Sequence, residues 1–431
     1  MTPESLTAFW HRQWRLIRAG GWPVCKSKAR QLLKRLRPLP ILIVTAPIFV
    51  IPVIVIRLIR PWILLRFGWL ESEGIGHFSR PVEIYLSEAD LGLHDPGQAG
   101  LDIWYLNKIV CNHVLKDKWS QVLTIWPRQI AGPIDRLNRF IPGGARHTLP
   151  YRYIQERSTP WQNIDLHHVL ERTVPHLSFS ASEEAIGVRA LHDMGFCEQD
   201  DFVCFMVRDG AYFGEDHHLR WQFRNTSPRV LMPAMEWLAD LNCGVVRMGA
   251  KVSEALPASS PLIVDYAANG MRTELLDLFL IARCRFMVST GTGVDALTTN
   301  FRRPLVHANV PQFGFEDELG PSVIFTPKHF WSKTEKRMLT FDEIFQRGAH
   351  LYTLQAQYDE SGIESVNNTP EEIVAVVSEM EQRVAGQWVG DDEDEILQNR
   401  FRAIWPLRPN SRPLQARIGA EFLRERREWL T

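Results

Sequence analysis

The sequence predicts an α/β protein made of two doubly wound, Rossmann-like domains facing a cleft, preceded by a basic, hydrophobic segment that associates with a membrane. Three observations predict it. From Glu71 onward short apolar runs alternate with helical stretches, the pattern of parallel strands covered by helices. At 431 residues the chain exceeds what one core organises, so two domains with appendages are expected. Charge is uneven: 12 Lys/Arg precede Glu71 against the single acid Glu4, so a net charge of -1 overall leaves the rest of the chain near -12.

Residues 1–70 form the first expected segment. Arg12, Arg15, Arg18, Lys26, Lys28, Arg30, Lys34, Arg35 and Arg37 lead into "PLPILIVTAPIFVIPVIVI", 19 residues without a charge. That approaches the ~20 residues a membrane-crossing helix needs. Pro40, Pro47 and Pro52 interrupt it, and Arg57, Arg60 and Arg66 follow it. Basic flanks on both sides hold both ends on the cytosolic side, so the segment is expected to dip into or lie on the cytoplasmic face of the inner membrane. A buried core element is the competing reading. No aromatic-basic recognition motif accompanies the basic patch, so nucleic acid is not expected as a partner. The six cysteines include no C-x-x-C pair, which points to a reducing compartment without a disulfide framework.

Residues 71–180 read as the first α/β domain. "GIGHF" opens a loop before a helix over about 80–90, "DIWYL" is a strand, "NKIVCNHVLKDKW" a helix and "VLTIW" a strand. Prolines scattered over 127–180 mark the crossing to the second domain, 181–340. There a helix over Glu183–Met194 precedes the strand "FVCFMV". A helix from Pro228, strands "GVVRM" and "PLIVDY", a helix from Thr273, strand "RFMVS", a short helix from Val294 and strand "PLVHA" complete it. Residues 341–431 add helices and the acidic run at Asp391, read as a solvated helix start.

The chemistry concentrates at strand ends, where ligands sit in doubly wound sheets. "STGTG", Ser289, Thr290, Gly291, Thr292 and Gly293, lies between a strand and a helix, offering hydroxyls and amides to a phosphate. It also matches G-x-G-x-x-A through Ala296, with Glu316 or Asp317 as the distant acid, although its late position weakens a dinucleotide reading. Arg208 and Asp209 leave one strand, Arg247 ends the next, and Asp265 and Tyr266 end the one after. Together they suggest a diphosphate clamp. His217 and His218 are adjacent and make a poor metal pair.

In their order, "VRD", "YFGEDH", "RMG", "DY", "CRFMVSTGTG" and "RRPLV", with "GIGHF", "EIYL" and "LSFSASEE" before them, resemble a family of bacterial glycosyltransferases distantly similar to the fucosyltransferase-like enzymes of the GT-B fold. The resemblance covers most of residues 71–320. It implies transfer of a sugar from a nucleotide-sugar donor, with Arg208 on the diphosphate and Ser289–Gly293 opposite. A single arginine stands where many fucosyltransferases carry two, which departs from a fucose donor. Transfer also calls for a base on the acceptor hydroxyl: His77 first, Asp209 second. Gly76, Tyr212, Glu215, Asp216, Arg224 and Asn225 are the expected acceptor-binding residues, for a surface glycan or lipid-linked acceptor. No strand-end D-x-D is present, so neither metal nor cofactor is expected. The same residues also suit a sugar-nucleotide epimerase or hydrolase, or a non-catalytic membrane-anchored glycan-binding protein.

Overall fold

A computed structural model of the protein describes residues 38–94, 97–149, 165–197, 200–212, 219–257, 259–408 and 413–430, with side chains from Pro47 onward. Its internal contacts divide the chain into two units: Met1–Trp69 with Pro96–Tyr105 and Thr124–Leu149, and Leu70–Asp95 with Leu106–Leu123 and Pro150–Thr431. The division differs from boundaries at 70 and 180. The helices Ile75–Asp90 and His113–Val122, expected in a separate first domain, belong to the larger unit.

In the smaller unit the apolar segment is one 22-residue helix, Pro38–Ile59, carrying Pro47 and Pro52 within it. Strands β1 (Leu64–Leu70), β2 (Gly100–Leu106) and β3 (Thr124–Ile125) form a three-stranded sheet in that order, β2 and β3 parallel. Val53 and Ile56 of the helix join Phe67, Ile103, Ala131 and Ile134 in one apolar cluster. The last two come from the helix Arg128–Phe140. One face of the apolar helix is therefore committed to a core. Among the described residues no helix is long and apolar enough to cross a membrane.

The larger unit is built on a seven-stranded sheet. Its strands are β4 (Phe202–Met206), β5 (Gly244–Met248), β6 (Ile263–Val264), β7 (Met287–Ser289), β8 (Leu305–Val310) and β9 (Val323–Pro327). A small antiparallel sheet follows, made of β10 (His329–Ser332), β11 (Arg337–Met338) and β12 (Ile363–Val366). The two-residue β13 (Arg417–Ile418) completes the main sheet, whose order is β13-β9-β8-β7-β4-β5-β6, all parallel. Strands β5, β7, β8 and β9 are buried at every residue, as sheets covered on both faces require. Val203, Phe205, Val245, Val288 and Val306 meet Met235 and Leu238 of the helix Met232–Asp240 and Ile373 and Val377 of the helix Pro370–Val384.

Strand order places the site. The chain starts at β4, winds outward through β5 and β6, then returns to β7 on the other side of β4. Between β4 and β7 the winding direction reverses, and crossovers on either side leave the sheet on opposite faces, opening a crevice at the carboxyl ends of those two strands. Helix starts follow local capping chemistry. Ser180 with Glu183, Thr340 with Glu343 and Thr369 with Glu372 each form reciprocal caps. The acidic run is another: Asp391 accepts from the Asp394 amide. The strand β9 and the small antiparallel sheet have no counterpart in the sequence reading.

Candidate active site

Arg208 and the Ser289–Gly293 loop meet at this reversal point. The Arg208 amide donates to Thr290 Oγ1 at 2.9 Å, and the Thr290 amide donates to Met206 O at 3.1 Å. The loop hydroxyls are largely turned inward. Ser289 and Thr290 are buried, Ser289 Oγ accepts from the Gly291 amide, and the Thr292 amide and hydroxyl donate to Asp295 at 2.7 and 3.1 Å. The Asp295 carboxylate thus fills the seat that the strand-loop-helix pattern offers an anion. Gly293 is the exposed member of the loop.

Arg224, expected among acceptor-binding residues, belongs with this loop: Nη2 donates to Gly291 O at 2.8 Å. Burial of Arg208 itself, and then the Arg224 charge, depress the Arg208 pKa to about 9. A third cation, Lys328, follows β9 and is buried. Its Nζ donates to Phe223 O at 3.0 Å and Asn225 O at 2.8 Å, the carbonyls flanking Arg224. Burial, then Arg224, pushes the Lys328 pKa down to about 7. Depressed values on crowded cations mean that positive charge is held there against desolvation and repulsion, a cost that an arriving anion offsets.

His307 on β8 supports the loop from beneath. Its Nδ1 lies 2.9 Å from Glu316 Oε1 and its Nε2 3.4 Å from Asp295 Oδ2. Burial alone would lower its pKa, but Glu316 and Asp295 more than compensate and the net shift is upward. A side chain at Gly291, where φ is +88°, would come within 3.2 Å of this imidazole. Glu316, the distant acid of the glycine motif, therefore holds a histidine.

"GIGHF" meets "STGTG". The helix begins at Ile75, about five residues earlier than the sequence suggests, with Gly74 as an N-cap that supplies no side-chain bond. Its first amides consequently have no partner within the helix. A Cβ on Gly76 would lie 2.9 Å from Gly293 O and 3.0 Å from its Cα, and one on Gly293 3.2 Å from the Gly76 amide. Only paired glycines permit this approach. His77 stands in the first turn, and burial lowers its pKa below the ordinary imidazole value, which keeps the ring neutral near pH 7. The helix is fixed by Trp119 Nε1 donating to Phe78 O at 2.9 Å and Arg80 donating to Thr299 Oγ1 at 2.9 Å.

Other expected residues lie elsewhere. Arg247 is fully buried and donates to Glu254 O at 2.7 Å and Asp265 Oδ2 at 3.3 Å, with Asp209 at 3.6 Å. It organises its neighbouring loop and presents nothing to a ligand, because two carboxylates draw it inward. Asp265 also accepts from the Leu256 amide, and Tyr266 is buried against Thr273 O and Asp277. Asp209 accepts from the amides of Ala211 and Ser253 and from the Ser253 hydroxyl. These bonds take three of the roughly four acceptor positions of a carboxylate and tie Asp209 to the 251–254 loop. Tyr212 is exposed and Asn225 half-buried; Glu215 and Asp216 lie outside the described residues. Lys328 and His307 were missed. A cation directly after the apolar "VIFTP" was the available signal, the same one that marks Arg208.

Fold and site define a doubly wound α/β protein whose topological reversal point brings Arg208, Arg224 and a glycine-rich loop together, with a helix start against that loop. No protein-family model and no curated protein matches the chain. Among solved structures, Escherichia coli ADP-heptose lipopolysaccharide heptosyltransferase II is similar at 15% identity and a TM-score of 0.31, over 56% of this chain and 84% of that one. A glycosyl transferase of family 9 from Veillonella parvula is similar at 12% and 0.35, over 61% and 86%. The iron-containing dodecameric glycosyltransferase TibC from enterotoxigenic E. coli is similar at 11% and 0.31, over 58% and 59%. Overlap of this size is partial, and the chemistry has to be read from the residues.

Proposed function

We propose that the protein is a glycosyltransferase that moves a sugar from a nucleotide-sugar donor to a surface-glycan or lipid-linked acceptor, working at the cytoplasmic face of the inner membrane without a metal. One observation carries the reading: Arg208 and Arg224 meet one loop, with Lys328 on the carbonyls flanking Arg224, and the exposed Gly293 of that loop touches the start of a 16-residue helix that no side chain caps. A multiply charged anion such as a diphosphate suits that arrangement.

The chemistry follows from charge. As the bond from the anomeric carbon to the diphosphate oxygen breaks, negative charge grows on the leaving group. Arg224, held through its guanidinium by Gly291 O, and Arg208, whose backbone is fixed by Thr290, stabilise it. The acceptor oxygen bonds to the anomeric carbon and its proton passes to the neutral His77.

Titration with a panel of ADP-, UDP- and GDP-sugars, with and without a lipid-linked acceptor, tests this. Arg208→Ala should weaken donor binding by about 1.5–3 kcal/mol, roughly 10- to 150-fold. Binding of every donor at wild-type strength by that variant, or donor turnover requiring no acceptor, would refute the reading.

A further inference from the structure

The helix Pro38–Ile59 has two apolar faces, and only one is used. Val53 and Ile56 point into the core of the smaller unit, with Phe49 packed beside them. Ile48, Ile51, Val55 and Leu58 fall within about 80° of arc at ~100° per residue, on the far side from that buried face. They are open to solvent: Ile48 and Ile51 at 67%, Leu58 at 65%, with Trp62 just beyond the helix at 75%. Exposed apolar residues scattered singly need no explanation, but a continuous stripe does.

The helix cannot rotate to hide it. Arg57 is clamped by Asn138 Oδ1 at 2.9 Å, Pro142 O at 2.7 Å and Asn138 O at 3.1 Å. These acceptors surround the C-terminal end of the helix Arg128–Phe140, where a cation is favoured by the helix dipole. All are neutral oxygens, so the clamp sets no carboxylate beside the guanidinium. Charge is one-sided in the flanking sequence as well: the 37 residues preceding the helix in the sequence include nine Lys/Arg and one acid, and Arg60 follows it. An apolar stripe flanked in sequence by basic residues fits the boundary between acyl chains and anionic headgroups.

We infer that the stripe Ile48, Ile51, Val55, Leu58 and Trp62 seats the protein on an anionic lipid bilayer, with the helix lying in the plane of the interface rather than crossing it. The inference rests on the membrane part of the reading above and not on the donor chemistry. A crossing helix would have to pull Val53 and Ile56 from their core and break the Arg57 clamp.

Flotation of the full chain with vesicles tests it. Phosphatidylglycerol/phosphatidylethanolamine vesicles should carry the protein at physiological salt, and pure phosphatidylcholine vesicles far less. The double variant Ile51→Asp/Leu58→Asp should lose at least about tenfold in bound fraction, with unchanged melting temperature and donor binding. Ile396→Asp, an exposed apolar position in the larger unit, should float like wild type. Equal flotation of the double variant and wild type would overturn the inference, as would a wild-type dimer that the double variant converts to monomer, which would make the stripe a self-interface. Retention on membranes through an alkaline carbonate wash would overturn the in-plane orientation. Loss of donor binding alongside intact flotation would instead remove the glycosyltransferase reading and leave this one standing.

Discussion

Replacing Gly76 by alanine tests the contact on which the site depends. The added methyl would sit 2.9 Å from Gly293 O and 3.0 Å from Gly293 Cα, both inside ordinary contact distance and both on backbone. A flexible side chain could swing aside; a loop pinned by Thr290, Thr292 and Asp295 cannot. Either the helix start or the loop must shift by about half an ångström, and overpacking of that kind costs about 1–3 kcal/mol. For a unit of this size the melting temperature should drop by roughly 2–9 °C. Misplacing groups that hold a reacting centre is dearer still, up to about 10²-fold in rate per ångström, so kcat/KM should decrease by about 10- to 100-fold. The control is two residues away. A methyl on Gly74 meets only His77 Cδ2, at 3.5 Å, and its φ of -125° is ordinary for alanine, so Gly74→Ala should cost only the poorer N-cap, at most about 1 kcal/mol, and leave kcat/KM within about twofold. Differential scanning fluorimetry and an acceptor-dependent transfer assay read both. If the two variants behave alike, the glycine contact is not a constraint and the site as described is wrong.

Three further outcomes follow from buried charge. Arg247→Met should lower the unfolding free energy read by urea titration by about 3–5 kcal/mol, because Asp209 and Asp265 lose their shared cation; donor affinity of the folded protein should stay within about twofold, and its selective loss would return Arg247 to the binding set. Lys328, with a pKa near 7 when folded against 10.5 as the ordinary value, holds its proton in the unfolded chain but not the folded one between those pH values, so its contribution makes stability rise with pH across that window. Diphosphate affinity, by contrast, should decline as pH rises through about 7, and calorimetry on Lys328→Met should show that decline flattened. The raised pKa of His307 works the other way on stability: its contribution is complete below pH 6.5 and disappears as pH climbs through the folded value. The stability gap between wild type and His307→Gln should therefore narrow with rising pH, and a constant gap in urea titrations would contradict the ion-pair arrangement.

Local pattern made much of this legible. The runs "FVCFM", "GVVRM" and "PLVHA" are strands because continuous apolar residues bounded by turns suit a sheet covered on both faces, and residues at the ends of such strands sit at a ligand edge whatever the rest of the chain does. Arg208 and the "STGTG" loop could be placed on that ground alone. The helix start at Ile75 was harder to read, since Gly74 offers no capping side chain to announce it.

Side-chain direction was not local. Arg208 and Arg247 follow the same kind of strand and look equivalent in sequence. Asp209 and Asp265 hold Arg247 in the interior, however, while Arg208 lies near the second cation Arg224. The same holds for Lys328, which becomes part of the site only because β9 returns beside β8 and the 219–226 segment passes over it. Residue type and period, properties of a few neighbouring positions, determined where strands end and which ends carry charge. Which groups surround a given charge depends on segments 18 residues apart for Arg247 and Asp265 and 105 apart for Lys328 and Phe223, and the tertiary structure alone decided it, because electrostatic and steric partners act through distance in space and not along the chain.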